Sequence, residues 1–193
     1  MLSQKLKNKH LILASGSPRR QYFLKELGLD FEIRLKEVAE VYPKELKGHD
    51  ITDFLSKLKA EPFIEELKEN DVLITADTIV WLENKAIGKP KDLEEAKQML
   101  SNLSGKTHEV ISSICITTKN KQIALSDSTL VKMKKLTEQE INYYVNNFSP
   151  LDKAGSYGIQ EWFGYIAIEK IEGSYFNVMG FPTHKFYQEI MKL

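Results

Sequence analysis

Arg19 and Arg20 follow directly on Ser17-Pro18, where the apolar run of residues 11–14 gives way to Tyr22, Phe23, Leu24 and Leu27 at helical spacing. The pattern predicts a strand, a tight turn and a helix closed by Gly28. Ser17 suits the N-cap and Pro18 the first helical position. Such a helix start offers N–H groups, the positive end of a dipole and two guanidiniums at one point. That is chemistry for an anion with several oxygens, a polyphosphate above all. Since most strand–turn–helix junctions bind nothing, the rest of the chain has to decide.

Asp77 ends the run of residues 72–76. A carboxylate there is expected at the end of a sheet strand, where open α/β sheets place their sites. The alternative is an aspartate that caps the next turn, a role Thr78 also suits. In Gly88-Lys89-Pro90 the glycine allows close approach and the lysine gives a point charge for a phosphate oxygen; an exposed loop lysine is the commoner case. Lys59, on a predicted helix, says little alone. Glu37 and Glu40 fall in a loop, as solvated surface charge or as hard oxygens for Mg²⁺ or Mn²⁺. In residues 152–160, Gly155 and Gly158 would let backbone come near a ligand. Gln160 could read a base edge by donating and accepting at once.

The elements that must position these groups alternate along the chain. Strands are expected at residues 11–14, 31–35 and 72–76, with an extended run over 79–82, and in a long antiparallel pair, 107–118 and 122–134. Helices are expected after Ser17, from residue 51 with Asp50 as cap, after Asp92, after Thr137 with a capping box to Glu140, and over residues 184–193. Residues 165–171 and 175–178 read as a hairpin. Residues 1–10 read as a frayed extension, and residues 11–193 as one α/β domain with a central mixed, strongly twisted sheet flanked by helices.

Composition narrows the function. The 193 residues carry 27 Lys and Arg against 27 Asp and Glu, so nothing points to a nucleic-acid or membrane surface. The single cysteine, Cys115, excludes an internal disulfide and reads as a core residue. No apolar run is long enough for a signal sequence or a membrane span, and a cytoplasmic location is the expectation. There is no P-loop, no dinucleotide fingerprint and no Cys/His cluster for zinc. Ser17 has no evident histidine partner for serine-hydrolase chemistry. His49, His108 and His184 read as structural or exposed.

Several of these signals fall in the order of one family. The chain resembles the Maf family of nucleoside triphosphate pyrophosphatases through Ser15-Gly16-Ser17-Pro18-Arg19-Arg20, Lys59-Ala60, Ala76-Asp77-Thr78 and Gly88-Lys89-Pro90. Further matches are Leu103-Ser104-Gly105 with Thr107-His108, Asp152-Lys153-Ala154-Gly155 running into Tyr157-Gly158-Ile159-Gln160, Gly173-Ser174-Tyr175, and Val178-Met179-Gly180-Phe181-Pro182. The likeness covers almost the whole chain from Leu11. It implies a Maf/ITPase-like fold and hydrolysis of a nucleoside triphosphate to the monophosphate and pyrophosphate with a divalent cation.

Arg-Arg directly after Ser-Pro, Asp-Thr and the loop glutamine resemble the branch that acts on dTTP and UTP. By the same match Asp77 takes the proton-acceptor position, and Arg19, Thr78 and Gln160 take selectivity positions. Arg20, Glu40, Lys59 and Lys89 match other active-site residues, with Glu37 the alternative to Glu40. Asp77 is expected as base or metal ligand, and Glu40 as a metal ligand. The family often has glycine after the glutamine, whereas here Glu161-Trp162-Phe163 precedes Gly164. A homodimer is implied by the resemblance. So are two other roles, a non-enzymatic nucleotide-binding regulator of septum formation and house-cleaning of non-standard nucleotides.

Overall fold

Residues 71–82 are rich in β-branched and aromatic side chains and hold neither glycine nor proline; they form one unbroken strand. The computed structural model describes residues 2–193. In chain order the elements are α1 (Leu2–Lys5), β1 (His10–Leu13), α2 (Pro18–Glu26), β2 (Glu32–Ile33), α3 (His49–Leu58), β3 (Asp71–Leu82), β4 (Lys85–Ile87), α4 (Leu93–Leu103) and β5 (Thr107–Thr117). They continue with β6 (Gln122–Met133), α5 (Glu138–Asn147), α6 (Trp162–Ala167), β7 (Ile168–Glu172), α7 (Tyr175–Val178) and α8 (Thr183–Ile190). Short 3₁₀ segments lie at Glu61–Glu66, Pro150–Asp152 and Ala154–Ser156.

The strands form one seven-stranded mixed sheet in the order β2-β1-β3-β5-β6-β7, with β4 beside β3. β1 is parallel to β2 and to β3, with Leu13 level with Ile74; β4 is antiparallel to β3 and β7 to β6. Within this sheet the residues fall into two compact units. One holds the chain up to Asp77, Ser112–Asp127 and Gly180–Leu193; the other holds Thr78–Ile111 and Ser128–Met179. The long strands β3, β5 and β6 each give residues to both units.

In the first unit, Ile12, Ala60, Phe63, Leu67 and Leu73 pack as a buried cluster. Phe181 stacks with Phe23 and meets Phe186 at a tilt, ring centroids 6.2 and 5.1 Å apart. In the second unit, Tyr144 and Tyr157 both meet Phe163, at 4.9 and 5.4 Å, in a core with Leu100, Leu103 and Val145. Each such large side chain contributes about 1.5–3 kcal/mol by burial.

The structure corrects several sequence expectations. Of the extension expected at residues 1–10, residue 1 lies outside the described residues and residues 2–10 are not simply frayed: α1 and the first residue of β1 lie there, and Leu2 and Leu6, four apart, are each 4% exposed. α3 is preceded by Gly48 at φ 51°, one residue short of His49, so Asp50 lies inside the helix rather than capping it. The hairpin expected at residues 165–178 does not form. Phe163 and Ala167, four apart, share a buried helical face in α6, and Ser174 caps α7 by accepting from Asn177 N–H. Packing overrides β propensity there. The last helix starts at Thr183, one residue early, and ends at Ile190.

Candidate active site

Asp77 sits inside β3, not at its end, because Thr78 and the β-prone residues after it continue the strand. It lies beyond Ile74, where pairing with β1 stops. A carboxylate in a strand buried along nearly its whole length needs a partner, since an unpaired buried charge costs several kcal/mol. Lys59 supplies it: its Nζ donates to Asp77 Oδ1 at 2.6 Å and lies 3.0 Å from Glu40 Oε1. The Asp77 side chain is 7% exposed, and its Oδ2 is buried with no hydrogen-bond partner among the described residues.

Lys59 reaches Asp77 because α3 is pinned. Lys59 is the C-cap of α3 and donates its N–H to Leu55 O. Thr75 Oγ1 on β3 donates to Ser56 O at 2.6 Å, and Thr52 Oγ1 on α3 lies 2.6 Å from Ser113 Oγ on β5. Ser113 Oγ in turn donates to Asp53 Oδ1. Of the two loop glutamates, Glu40 rather than Glu37 is the one paired with Lys59.

The turn before α2 is organised by Ser15. Ser17 takes the N-cap position and Pro18 the first helical one, but the Ser17 side chain makes no capping bond. Ser15 Oγ instead accepts from Ser17 N–H and from Arg20 Nη1, both at 3.3 Å. Arg20 Nη1 also donates to Ala76 O at 2.8 Å and Nε to Gly180 O at 3.1 Å. The guanidinium is therefore fastened to the backbone next to Asp77. Burial pushes Arg20 down to about 10; Asp77 and Glu40 oppose this and Arg19 adds to it, so the group remains a cation at neutral pH. Asp77, Lys59, Glu40, Arg20 and Arg19 thus form one cluster in the first unit.

Thr78, Lys89 and Gln160 belong to the second unit. Lys89 is exposed, and Gly88 O beside it accepts from Gly155 N–H at 3.0 Å. Gln160 Oε1 is buried with no partner among the described residues. The glycines of this loop make room for protein: a Cβ on Gly155, at φ 67°, would fall 2.7 Å from Val80 Cγ2, and one on Gly158 2.7 Å from Glu161 Cδ. Sequence reasoning assigned nothing to Ser15, Tyr144, Lys153 or Glu161, which the structure draws into these contacts. His108 is structural as expected, 2% exposed, with Nε2 2.7 Å from Tyr157 OH.

The donor set fits a divalent cation. Asp77 and Glu40 offer hard carboxylate oxygens, one of them buried and unsatisfied. No group of three or more acidic, histidine or cysteine side chains able to hold a metal occurs among the described residues. An ion held here would take its other oxygens from water and a phosphorylated ligand, the manner of Mg²⁺.

A mixed α/β sheet with an arginine-bearing strand–turn–helix and a lysine-paired strand carboxylate defines a class of protein suited to phosphoanhydride ligands. The profile of the family described as Maf-like protein matches residues 10–193, and this chain belongs to the Maf family. It is similar to the dTTP/UTP pyrophosphatase of Flavobacterium johnsoniae, 58% identical over all of both chains. It is equally similar to that of Christiangramia forsetii, 58% over all of this chain and 98% of the other. The dTTP/UTP pyrophosphatase of Bacteroides thetaiotaomicron is 46% identical over 95% of each chain. Among solved structures, the Staphylococcus aureus Ham1 protein shares the fold, with a TM-score of 0.53 at 14% identity over 94% of this chain and 100% of that one.

Proposed function

We propose that this chain hydrolyses dTTP and UTP, and pyrimidine triphosphates modified on the base, to the monophosphate and pyrophosphate. The observation that carries the reading is the Asp77 carboxylate, held by Lys59 through Oδ1 while Oδ2 is buried and unpartnered. The relatives named dTTP/UTP pyrophosphatase give the substrate class.

In this reading a water molecule loses its proton to Asp77 as its oxygen bonds to the α-phosphorus. The bond from that phosphorus to the bridging oxygen breaks, and its electron pair leaves with pyrophosphate. Arg19, Arg20, Lys59 and Lys89 hold the triphosphate and offset the charge of the leaving group, a positioning and electrostatic role. With Asp77 as the base, Glu40 and the phosphates would hold Mg²⁺ or Mn²⁺, which when bound polarises the phosphoryl oxygens. Gln160 and Thr78 read the base. A bare Gln160 Oε1 is an acceptor, and uracil and thymine present an N3–H donor that cytosine lacks. The same reading makes the protein a homodimer in the cytoplasm; sedimentation of the purified chain checks the dimer, and fractionation of cells the location.

The test is pyrophosphate release from a panel of triphosphates with Mg²⁺ or Mn²⁺ at catalytic protein concentration. UTP and dTTP should turn over well ahead of CTP and the purine triphosphates. Tight binding of UTP without release would make the chain a nucleotide sensor instead.

A further inference from the structure

The loop that carries Gln160 is held by a buried charge network the proposed reaction does not use. Lys153 is 5% exposed. Its Nζ donates to Ser149 O and to Asp152 Oδ1 at 2.6 Å, and forms an ion pair with Glu161 Oε1 at 3.1 Å. The other Glu161 oxygen, Oε2, accepts from Tyr144 OH at 2.6 Å, and that hydroxyl in turn accepts from Gly158 N–H at 3.0 Å. Burial and the Glu161 carboxylate push the Tyr144 phenol up, so it stays a donor.

The network closes on both ends of the loop. Lys153 begins it, Gly158 lies within it and Glu161 follows Gln160 directly. Gly155 N–H, inside the same loop, bonds Gly88 O next to Lys89. Gly158 suits this closure, since a Cβ there would meet the Glu161 carboxylate. A loop with so many small residues would otherwise sample many backbone states. Gln160 cannot present an unsatisfied Oε1 in one place unless something fixes its backbone. A buried lysine, a glutamate and a tyrosine that bond one another and the backbone of residues 149–158 do that.

We propose that Lys153, Glu161 and Tyr144 are positioning residues that set base selectivity by clamping residues 153–161 and so fixing the Gln160 amide. The inference rests on the function proposed above and adds what holds its base-reading residue. Removing Lys153 leaves Glu161 uncompensated and risks unfolding, so Tyr144→Phe and Glu161→Gln are the variants to use.

Two measurements are made on the full chain: amide hydrogen exchange over residues 153–161, and kcat and KM for pyrophosphate release from UTP and ATP. Both variants should speed exchange at Gly158 and its neighbours. Both should lower the UTP-to-ATP ratio of kcat/KM about tenfold, the effect of one polar contact, mainly through a raised KM for UTP. In a Gln160→Ala background the further loss should vanish, because the clamp acts through Gln160. Unchanged exchange, an unchanged ratio, or an equal added loss in the Gln160→Ala background would overturn the proposal while leaving the reaction standing. A wild-type chain that releases no pyrophosphate from any triphosphate would overturn the reaction and this inference with it.

Discussion

Around Asp77, groups distant in sequence converge. Ser15 and Arg20 come from the first turn and helix, Glu40 from a loop, and Lys59 from the end of α3. The result still leaves one carboxylate oxygen without a partner. Around Lys153 the opposite holds. The groups lie within residues 144–161, and the ammonium, the carboxylate and the phenol satisfy one another. The first region keeps unspent bonding capacity in a rigid frame, which is what proton abstraction from water needs. The second spends its capacity on bonds within and around its loop, beside the Gln160 oxygen that has no partner among the described residues.

The largest effect that tests this contrast is loss of the Asp77 carboxylate, the proposed proton acceptor. Asp77→Asn should lower kcat for UTP by roughly 10²–10⁴-fold, measured as pyrophosphate release. Turnover near the wild-type value would remove Asp77 from the chemistry.

Next comes Lys59→Met, which strips the partner from a buried carboxylate. It should lower folding stability by about 3 kcal/mol in urea titrations as well as lowering the rate. A variant as stable as the wild type would show that Arg20 alone compensates Asp77.

A third effect belongs to the second region alone. Burial pushes His108 down to about 4 from an ordinary value of 6.5. The folded state therefore binds fewer protons than the unfolded chain between those values. This contribution, up to about 3 kcal/mol, is complete above pH 6.5 and is lost as the pH falls toward 4. Urea midpoints across that range should fall with acid in the wild type and fall less steeply in His108→Gln.

How much of this was legible in the sequence follows from the same contrast. Arg19-Arg20 after Ser17-Pro18, the strand at residues 72–76 and the Thr137 capping box are local patterns, and the structure has the strand–turn–helix, β3 and the box. Ser15 was missed as the organiser of the turn because a hydroxyl two residues before the cap has no distinctive spacing. Lys59 looked uninformative because its meaning lies in a partner 18 positions away on another element. Asp77 was read as a strand end because a charge in a buried strand is rare. Its strand continues because Lys59 makes the charge tolerable. The Lys153 network went unseen for a different reason: its members are close in sequence, yet only the fold of the loop turns their side chains toward one another. Residues 165–178 misled because aromatic and β-branched residues favour strands until packing selects a helix.

The most direct test of the division between the two regions is the ratio of pyrophosphate release from UTP and ATP in Asp77→Asn and Gln160→Ala, measured side by side with wild type. The account predicts that Asp77→Asn slows both substrates by the same factor and keeps the ratio, whereas Gln160→Ala lowers the ratio by slowing UTP more. An Asp77→Asn protein whose ratio collapses, or a Gln160→Ala protein that loses both substrates equally, would contradict it.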